Sequence, residues 1–354
     1  MNAPPLLRGT VTTALLGCSV AWAQPALPGF ELERLEVNPG RGSMVSGNGE
    51  LLVPGGVSVG MVGHYQHLPL VLRNGENRAE MLRSRASAVL AGSYGVLPWL
   101  EVGAILPVVL WQKGGDLGFV GLKPAASQGL GTPVLQARLG LLARRDEHPV
   151  DLALDLAAGL PVGSAEALAR DAGMRFRARA TVGTQLGWLH PTLDAGVLLR
   201  SRDPLATPAA SDQTLEVRMG ASVATVGKGL RGELALRGAF AADSRQPSVE
   251  LLAGGHLPLS NELELFAWGG PGFGATPGTP IVRVLMGVSF RTEPPPRMER
   301  LPEPVPHFRL EEHQPPRQEP PRDGAMPVPT RELLPSEPLP SEPLPSARAE
   351  RPAP

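Results

Sequence analysis

What most constrains this chain is an alternation of apolar and polar residues with a period of two, sustained over lengths unusual for a soluble sheet. It is clearest between Thr214 and Asp243. Leu215, Val217, Met219, Ala221 and Val223 fall on one parity, and Glu216, Arg218, Gly220, Ser222 and Ala224 on the other. After Gly227-Lys228-Gly229 the scheme resumes. Leu230, Gly232, Leu234, Leu236, Gly238 and Phe240 alternate with Arg231, Glu233, Ala235, Arg237, Ala239 and Ala241. Successive side chains of an extended strand point to opposite faces, so this is a hairpin with one apolar and one ionic face. Each arm runs to about ten residues or more, against ~5–6 in a typical soluble strand, which suits a strand tilted across a bilayer. The apolar face then meets lipid and the ionic face lines a lumen.

The same pattern recurs over residues 57–65, 85–96, 100–110, 134–144, 150–160, 174–189, 192–202, 249–259, 262–270 and 281–292. With the two arms above, that makes about twelve segments, an even number as single-chain outer-membrane barrels require. Short connections at Leu97-Pro98, 146–149, His190-Pro191, 227–229 and Ser260-Asn261 alternate with longer ones at 67–84, 112–133, 161–173, 203–213 and 271–280. The junction around 244–247 is intermediate in length. Tight turns at one end and loops at the other are the asymmetry of such barrels. The expected fold is all-β, an antiparallel up-and-down transmembrane β-barrel of about 12 strands. The alternative is a secreted or lipid-anchored soluble β-sandwich acting as a surface binding module. Aromatic residues are only 4% of the chain, so the interfacial girdles would be thin. Tyr65, Trp99, Trp111, Trp188, Trp268 and Phe290 sit near segment ends and would supply them.

Composition narrows the partners. A net charge of -1 gives no electrostatic case for nucleic acid. Charged residues are 19% of the chain, below the ~25% of an average soluble domain. No apolar run of ~18 residues follows the leader, so no membrane helix is offered and the lipid partner would be met by strands.

The N-terminus reads as an export signal: Arg8, a mostly apolar run from Val11 to Val20, then Ala21-Trp22-Ala23 before Gln24. Leu15-Leu16-Gly17-Cys18 competes with it as a bacterial lipoprotein processing box that would lipidate Cys18. Under the simple cleavage Cys18, the chain's one cysteine, leaves with the leader, and no disulfide is possible.

The expected organisation is a signal peptide over 1–23, an irregular lead-in over 24–54, the barrel over 55–292 and a Pro-rich disordered periplasmic tail over 293–354. The lead-in is either a periplasmic extension or a segment folded into the barrel mouth. The tail opens on Pro294-Pro295-Pro296 and repeats Leu-Pro-Ser-Glu-Pro from Leu334, a composition that favours extended polyproline II. An even strand count places both termini on the periplasmic side, so the tail would reach toward periplasmic or cell-wall components.

Catalytic motifs are few. Gly56-Val57-Ser58-Val59-Gly60 matches the hydrolase elbow in letters, but Ser58 lies inside an alternating strand rather than a strand-to-helix turn. His64 and His67 have metal-like spacing with no carboxylate or Cys cluster to complete a site. The glycines of Gly270-Pro271-Gly272-Phe273-Gly274 precede a strand, not a helix that could hold an anion. The outer-membrane phospholipase signature, a His and a Ser close together before Asn-Gly, is absent. No enzyme activity, metal or cofactor is expected.

What remains is the lumen. On the inward parity lie Arg138, Asp151, Asp155, Arg175, Arg177, Arg179, Asp194, Arg200, Glu216, Arg218, Arg231, Glu233, Arg237, Glu250, Glu264 and Arg283, and with them Arg144, Arg202, Glu262 and Arg291. A strand spacing of ~4.8 Å and a tilt of ~40° give twelve strands a backbone diameter near ~24 Å, which long Arg and Glu side chains narrow greatly. Either the mixed charges pair across the lumen and close it, or the surplus of arginine leaves a narrow passage that favours anions. The Arg175, Arg177, Arg179 row would face the anion, unless it pairs with Asp151, Asp155 and Asp194 on neighbouring strands. The role is therefore structural, or that of a narrow pore for small solutes.

Several stretches together resemble a known family. They are Phe30-Glu31-Leu32-Glu33-Arg34-Leu35 with Asn38-Pro39-Gly40, His64-Tyr65-Gln66-His67 with Pro69-Leu70-Val71-Leu72, Trp99-Leu100-Glu101-Val102-Gly103 with Leu106-Pro107-Val108, and Gly129-Leu130-Gly131-Thr132-Pro133. These are similar to the N-terminal barrel region of large OmpA-family outer-membrane proteins of Gram-negative bacteria, over roughly 30–292. The resemblance implies a cell outer membrane location. Calcium-binding repeats and a peptidoglycan-binding domain usually follow in that family, and here the Pro-rich tail stands in their place. No family site carries over.

Overall fold

The alternating segments do close on themselves. A computed structural model describes residues 30–74, 77–115, 123–201, 213–242, 247–274 and 276–294. Its strands are β1 (Val57–Asn74), β2 (Asn77–Leu97), β3 (Leu100–Lys113), β4 (Gly129–Leu130), β5 (Val134–Leu142), β6 (Asp151–Gly159), β7 (Arg175–Gly183), β8 (Leu189–Ser201), β9 (Gln213–Thr225), β10 (Arg231–Ala241), β11 (Ser248–Pro258), β12 (Leu263–Phe273) and β13 (Val282–Thr292). Around the barrel each strand is antiparallel to its neighbours, and β1 pairs with β13 from Val57↔Thr292 to His67↔Val282, so no edge is left open. β4 is a two-residue piece laid on β3, and the other twelve strands are the staves of the barrel.

Parity decides which way each side chain points. The outward set includes Met61, Leu90, Leu135, Phe176, Leu193, Met219, Leu236 and Met286, all large, apolar and exposed. The inward set includes Arg85, Arg138 and Arg283, which are among the most buried side chains of the molecule. That inversion of the soluble pattern is what a membrane-spanning barrel requires, because lipid takes the apolar face and the charges must find partners inside.

Several expectations shift. Residues 67–84, read as a loop, instead continue the paired strands, β1 to Asn74 and β2 from Asn77. The period-two pattern breaks there because the pairing register slips between His67 and Leu72, with Leu68 at φ 52. His190-Pro191 is not a turn: both residues lie in β8, and the chain reverses over 184–188, where Gly187 adopts φ 61. Residues 270–273 extend β12 rather than opening a loop. Trp268 is not a girdle residue but faces the lumen, 3% exposed and edge-on to His256. The signal peptide with Cys18, the position Arg202 and the tail beyond Pro294 lie outside the described residues.

The largest surprise is the lead-in. Residues 30–56 thread the lumen from end to end. Glu31 lies beside Arg175 and Arg200, where β7 begins and β8 ends, on the side of the long connections. Gly55 and Gly56 pair with Gly95 beside the tight turns, and the chain there enters β1. The barrel strands begin and end at the turn end, as expected, but the described chain starts at the opposite, loop end. An even strand count therefore does not place both ends of the described chain on one face.

Candidate functional site

The lumen is a packed interior built from the wall and its own N-terminal segment. Every one of the sixteen lumen charges named from parity lies on an inward position of the wall. Arg85, Arg291 and Glu101 share that position, which brings the described wall to eleven arginines and eight carboxylates. The segment carries Glu31, Glu33, Glu36 and Glu50 against Arg34 and Arg41. An arginine-rich wall thus encloses a glutamate-rich strap.

At the loop end the contacts are buried. Arg283 of β13 donates to Glu33 at 2.9 Å and to both oxygens of Glu250 at 2.9 and 3.1 Å. Gln66 donates to Glu33 at 2.6 Å, and His64 lies 3.4 Å from the same carboxylate. Arg200 reaches Asp171 at 2.6 Å and the Glu31 carbonyl at 2.7 Å, while the Glu31 amide donates to Asp171 at 3.0 Å. Arg85 donates to the carbonyl of Leu168 at 3.2 Å. Phe30 and Leu32 pack with Leu70, Met81, Leu82 and Leu168 in an apolar cluster above these pairs. Arg283 is withdrawn from water with a carboxylate on each side, and Arg85 with backbone carbonyls and the Gln112 side chain as acceptors, which offsets the cost of burying their charge.

Halfway down, the strap alternates. Leu35 and Val37 join Val89, Ile105 and Val134 of the wall, while Glu36 turns the other way. The Glu36 carboxylate meets Arg177 at 3.0 Å, Arg179 at 3.4 Å and Arg218 at 2.5 Å, and Arg237 donates to its backbone carbonyl at 3.1 Å. The row expected to face an anion therefore does face one, supplied by the chain itself. Its expected wall partners account for only part of it. Asp155 does bridge Arg179 at 3.2 Å and Arg138 at 2.6 Å. Asp151 instead accepts from the Arg144 amide at 2.7 Å, and Asp194 has no ion pair among the described residues. Arg34 and Arg218 share Glu216 at 3.0 and 2.9 Å. Arg144 lies in the turn after β5, and Glu262 is exposed in the turn before β12, so neither lines the lumen.

Toward the turn end the strap folds back on itself. Asn38 bonds the carbonyls of Arg41 and Ser43 at 2.8 and 3.0 Å and accepts from Arg138 at 2.7 Å. Gly49, at φ 82, leaves no room for a side chain: a Cβ there would lie 2.5 Å from the Asp151 carbonyl. On the wall side, a Cβ on Gly183 would come within 2.2 Å of the Asn48 carbonyl. These two glycines let backbone lie on backbone. Below them opens a vestibule of about 320 Å³, lined by Arg41, Ser46, Glu50, Arg231, His256 and Glu264 among others. Glu264 pairs there with Arg231 and lies 2.8 Å from His256, whose other ring nitrogen is 3.1 Å from Glu233. Arg41 pairs with Glu50 and Glu293.

The motifs that mimic enzymes dissolve into this interior. Ser58 is buried in β1 and faces the lumen, and His64 serves Glu33. Among the described residues no three His, Cys, Asp or Glu side chains form a metal-binding group.

No family model and no curated protein matches the chain. Among solved structures, the COG4313 outer membrane channel from Pseudomonas putida F1 aligns at a TM-score of 0.53 and 13% identity, over 70% of this chain and 99% of that one. The β domain of the Bordetella autotransporter BrkA (TM-score 0.36, 11% identity, 67% and 98% covered) and the channel DcaP of Acinetobacter baumannii (0.32, 12%, 68% and 100%) align more loosely. At such identities the shared property is architecture. The chain has the closed antiparallel twelve-strand fold of an outer-membrane β-barrel.

Proposed function

We propose that this protein resides in the outer membrane as a small barrel held shut by its own strap, and that it is a narrow pore, favouring small anions, once the strap is displaced. The observation that supports this most is the composition of the plug. The strap also packs Leu35, Val37, Met44 and Val45 against the wall, but every ion pair interleaved with that apolar contact can exchange its partner for water or solute. The wall left behind would carry eleven arginines against eight carboxylates, a field that draws anions. In this reading the turn end faces the periplasm and the loop end the cell surface.

A second reading, a permanently closed structural barrel, draws on the buried pairs at the loop end. Planar-bilayer recording separates the two. The intact chain should show rare, small openings, and a chain lacking residues 30–50 should show a large current with a reversal potential shifted toward anions. Equal currents from both chains would remove the plug. Silence from both would leave the structural reading.

The remaining assignments rest on sequence. Export by the 1–23 leader, lipidation of Cys18 as the competing path and a Pro-rich tail engaging periplasmic or cell-wall components are kept as proposals. So is a closer kinship with OmpA-family barrel regions, which rests on the Phe30–Leu35 and neighbouring motifs. We read no catalytic role.

A further inference from the structure

We propose that the arginines around Glu36 form a binding site for a small carboxylate, and that Glu36 is its tethered occupant. This rests on the plugged-pore reading for its biological use, but not for its existence. Three guanidinium groups converge on one carboxylate, at 3.0, 3.4 and 2.5 Å from Arg177, Arg179 and Arg218. Several planar donor forks around one pair of oxygens make carboxylate recognition geometrically specific.

The wall does not use up these cations. Among the described residues Arg177 has one wall acceptor, the Gln136 side-chain oxygen at 3.2 Å, but no wall carboxylate as an ion-pair partner, and its Nε is buried without an acceptor. Arg237 donates to the Glu36 carbonyl and, among the described residues, has no ion-pair partner within 4 Å, although Asp194 and Glu250 line the same cavity. Of the nearby wall carboxylates, Asp155 is shared between Arg138 and Arg179 and Glu216 among Arg34, Arg200 and Arg218, while Asp194 lines the cavity beside Arg218 and Arg237 without reaching ion-pair distance of either. Small cavities of about 50 and 30 Å³ flank Glu36, the first lined by Arg175, Arg177 and Arg218 and the second by Arg34, Arg218 and Arg237. Removing the Glu36 side chain would join them into a pocket of carboxylate size, walled by Leu35, Val37 and Ile105 on one side and by charge on the other. A solute with a carboxylate head and a short apolar body matches that lining.

The test is chemical rescue in the full-length, detergent-solubilised barrel, read by the midpoint of heat-induced unfolding. E36A should melt well below the intact protein. Sodium propionate should restore its Tm by about 3 °C per decade of concentration once above Kd, while sodium chloride at equal ionic strength should not. Inorganic phosphate serves as the second probe. Rescue by phosphate equal to that by propionate would overturn the carboxylate assignment in favour of a general oxyanion site. Should E36A fail to fold, E36Q keeps the volume and removes the charge, and it should show the same selective response at smaller amplitude. No response beyond chloride in the folded variant, or an equal response in the intact protein, would overturn the site. Rescue with silent bilayers would leave the site and remove the pore, whereas conductance without rescue would do the reverse.

Discussion

The two ends of the lumen are built on opposite terms. At the loop end Arg283 and Arg85 are almost fully withdrawn from water, and Phe30 and Leu32 sit under an apolar cap. At the turn end a vestibule of about 320 Å³ is lined by half-exposed Arg41, Glu50 and Arg231. The difference follows from covalent connection. Near Gly56 the strap is continuous with β1 and needs no further anchor. Twenty-five residues earlier no barrel strand adjoins it, and among the described residues desolvated pairs and apolar burial hold it. The same charged residue types thus act as clamp at one end and as solvated lining at the other.

Mutations should read that contrast as a gradient of stability along the axis. Arg283→Ala strands Glu33 and Glu250 without their cation, and breaking a buried pair from one side costs about 3–5 kcal/mol. The midpoint of the heat-modifiable gel shift should fall the furthest of the single variants, and an unchanged midpoint would mean the loop end is wet. Leu32→Ala removes buried apolar volume from the cap without touching a charge and should cost about 2–3 kcal/mol. It should also raise the frequency of bilayer openings, because the cap closes the exit of the strap. Arg41→Ala removes two partly exposed pairs and should cost about 1 kcal/mol or less, with conductance through the vestibule altered only slightly. If Arg41→Ala proved as damaging as Arg283→Ala, the contrast between the ends would be lost.

Much of this was legible in the chain before any coordinates. Parity alone placed Arg138, Glu216, Arg283 and the other named charges on the lumen wall, because a strand with one face in lipid admits no other position for an ion. The same rule applied to β2 and β3 would have found Arg85 and Glu101. What parity could not reach is a region without it. Residues 30–56 alternate only in short pieces, with the polar parity switching between Glu33 and Arg34, so neither strand nor loop was indicated. One signal did point there. A wall with surplus arginine needs anions, and Glu31, Glu33 and Glu36 precede the first strand closely enough to supply them. The hairpin over 67–84 escaped for a local reason, since the register slips there and consecutive residues, Leu68 to Leu70 and Met81-Leu82, are buried together, which erases the alternation. Trp268 escaped because an aromatic residue near a strand end is as ordinary in a girdle as in a lumen.

The account turns on whether the strap occupies the lumen of the folded barrel. Single cysteines at Val37, 3% exposed and halfway down, and at Ser46, in the vestibule, report this through their reaction with a small maleimide. Ser46→Cys should label readily in the folded, detergent-solubilised protein, and Val37→Cys only after heat unfolding. Equal, rapid labelling of both in the folded barrel would show an empty lumen and contradict the account.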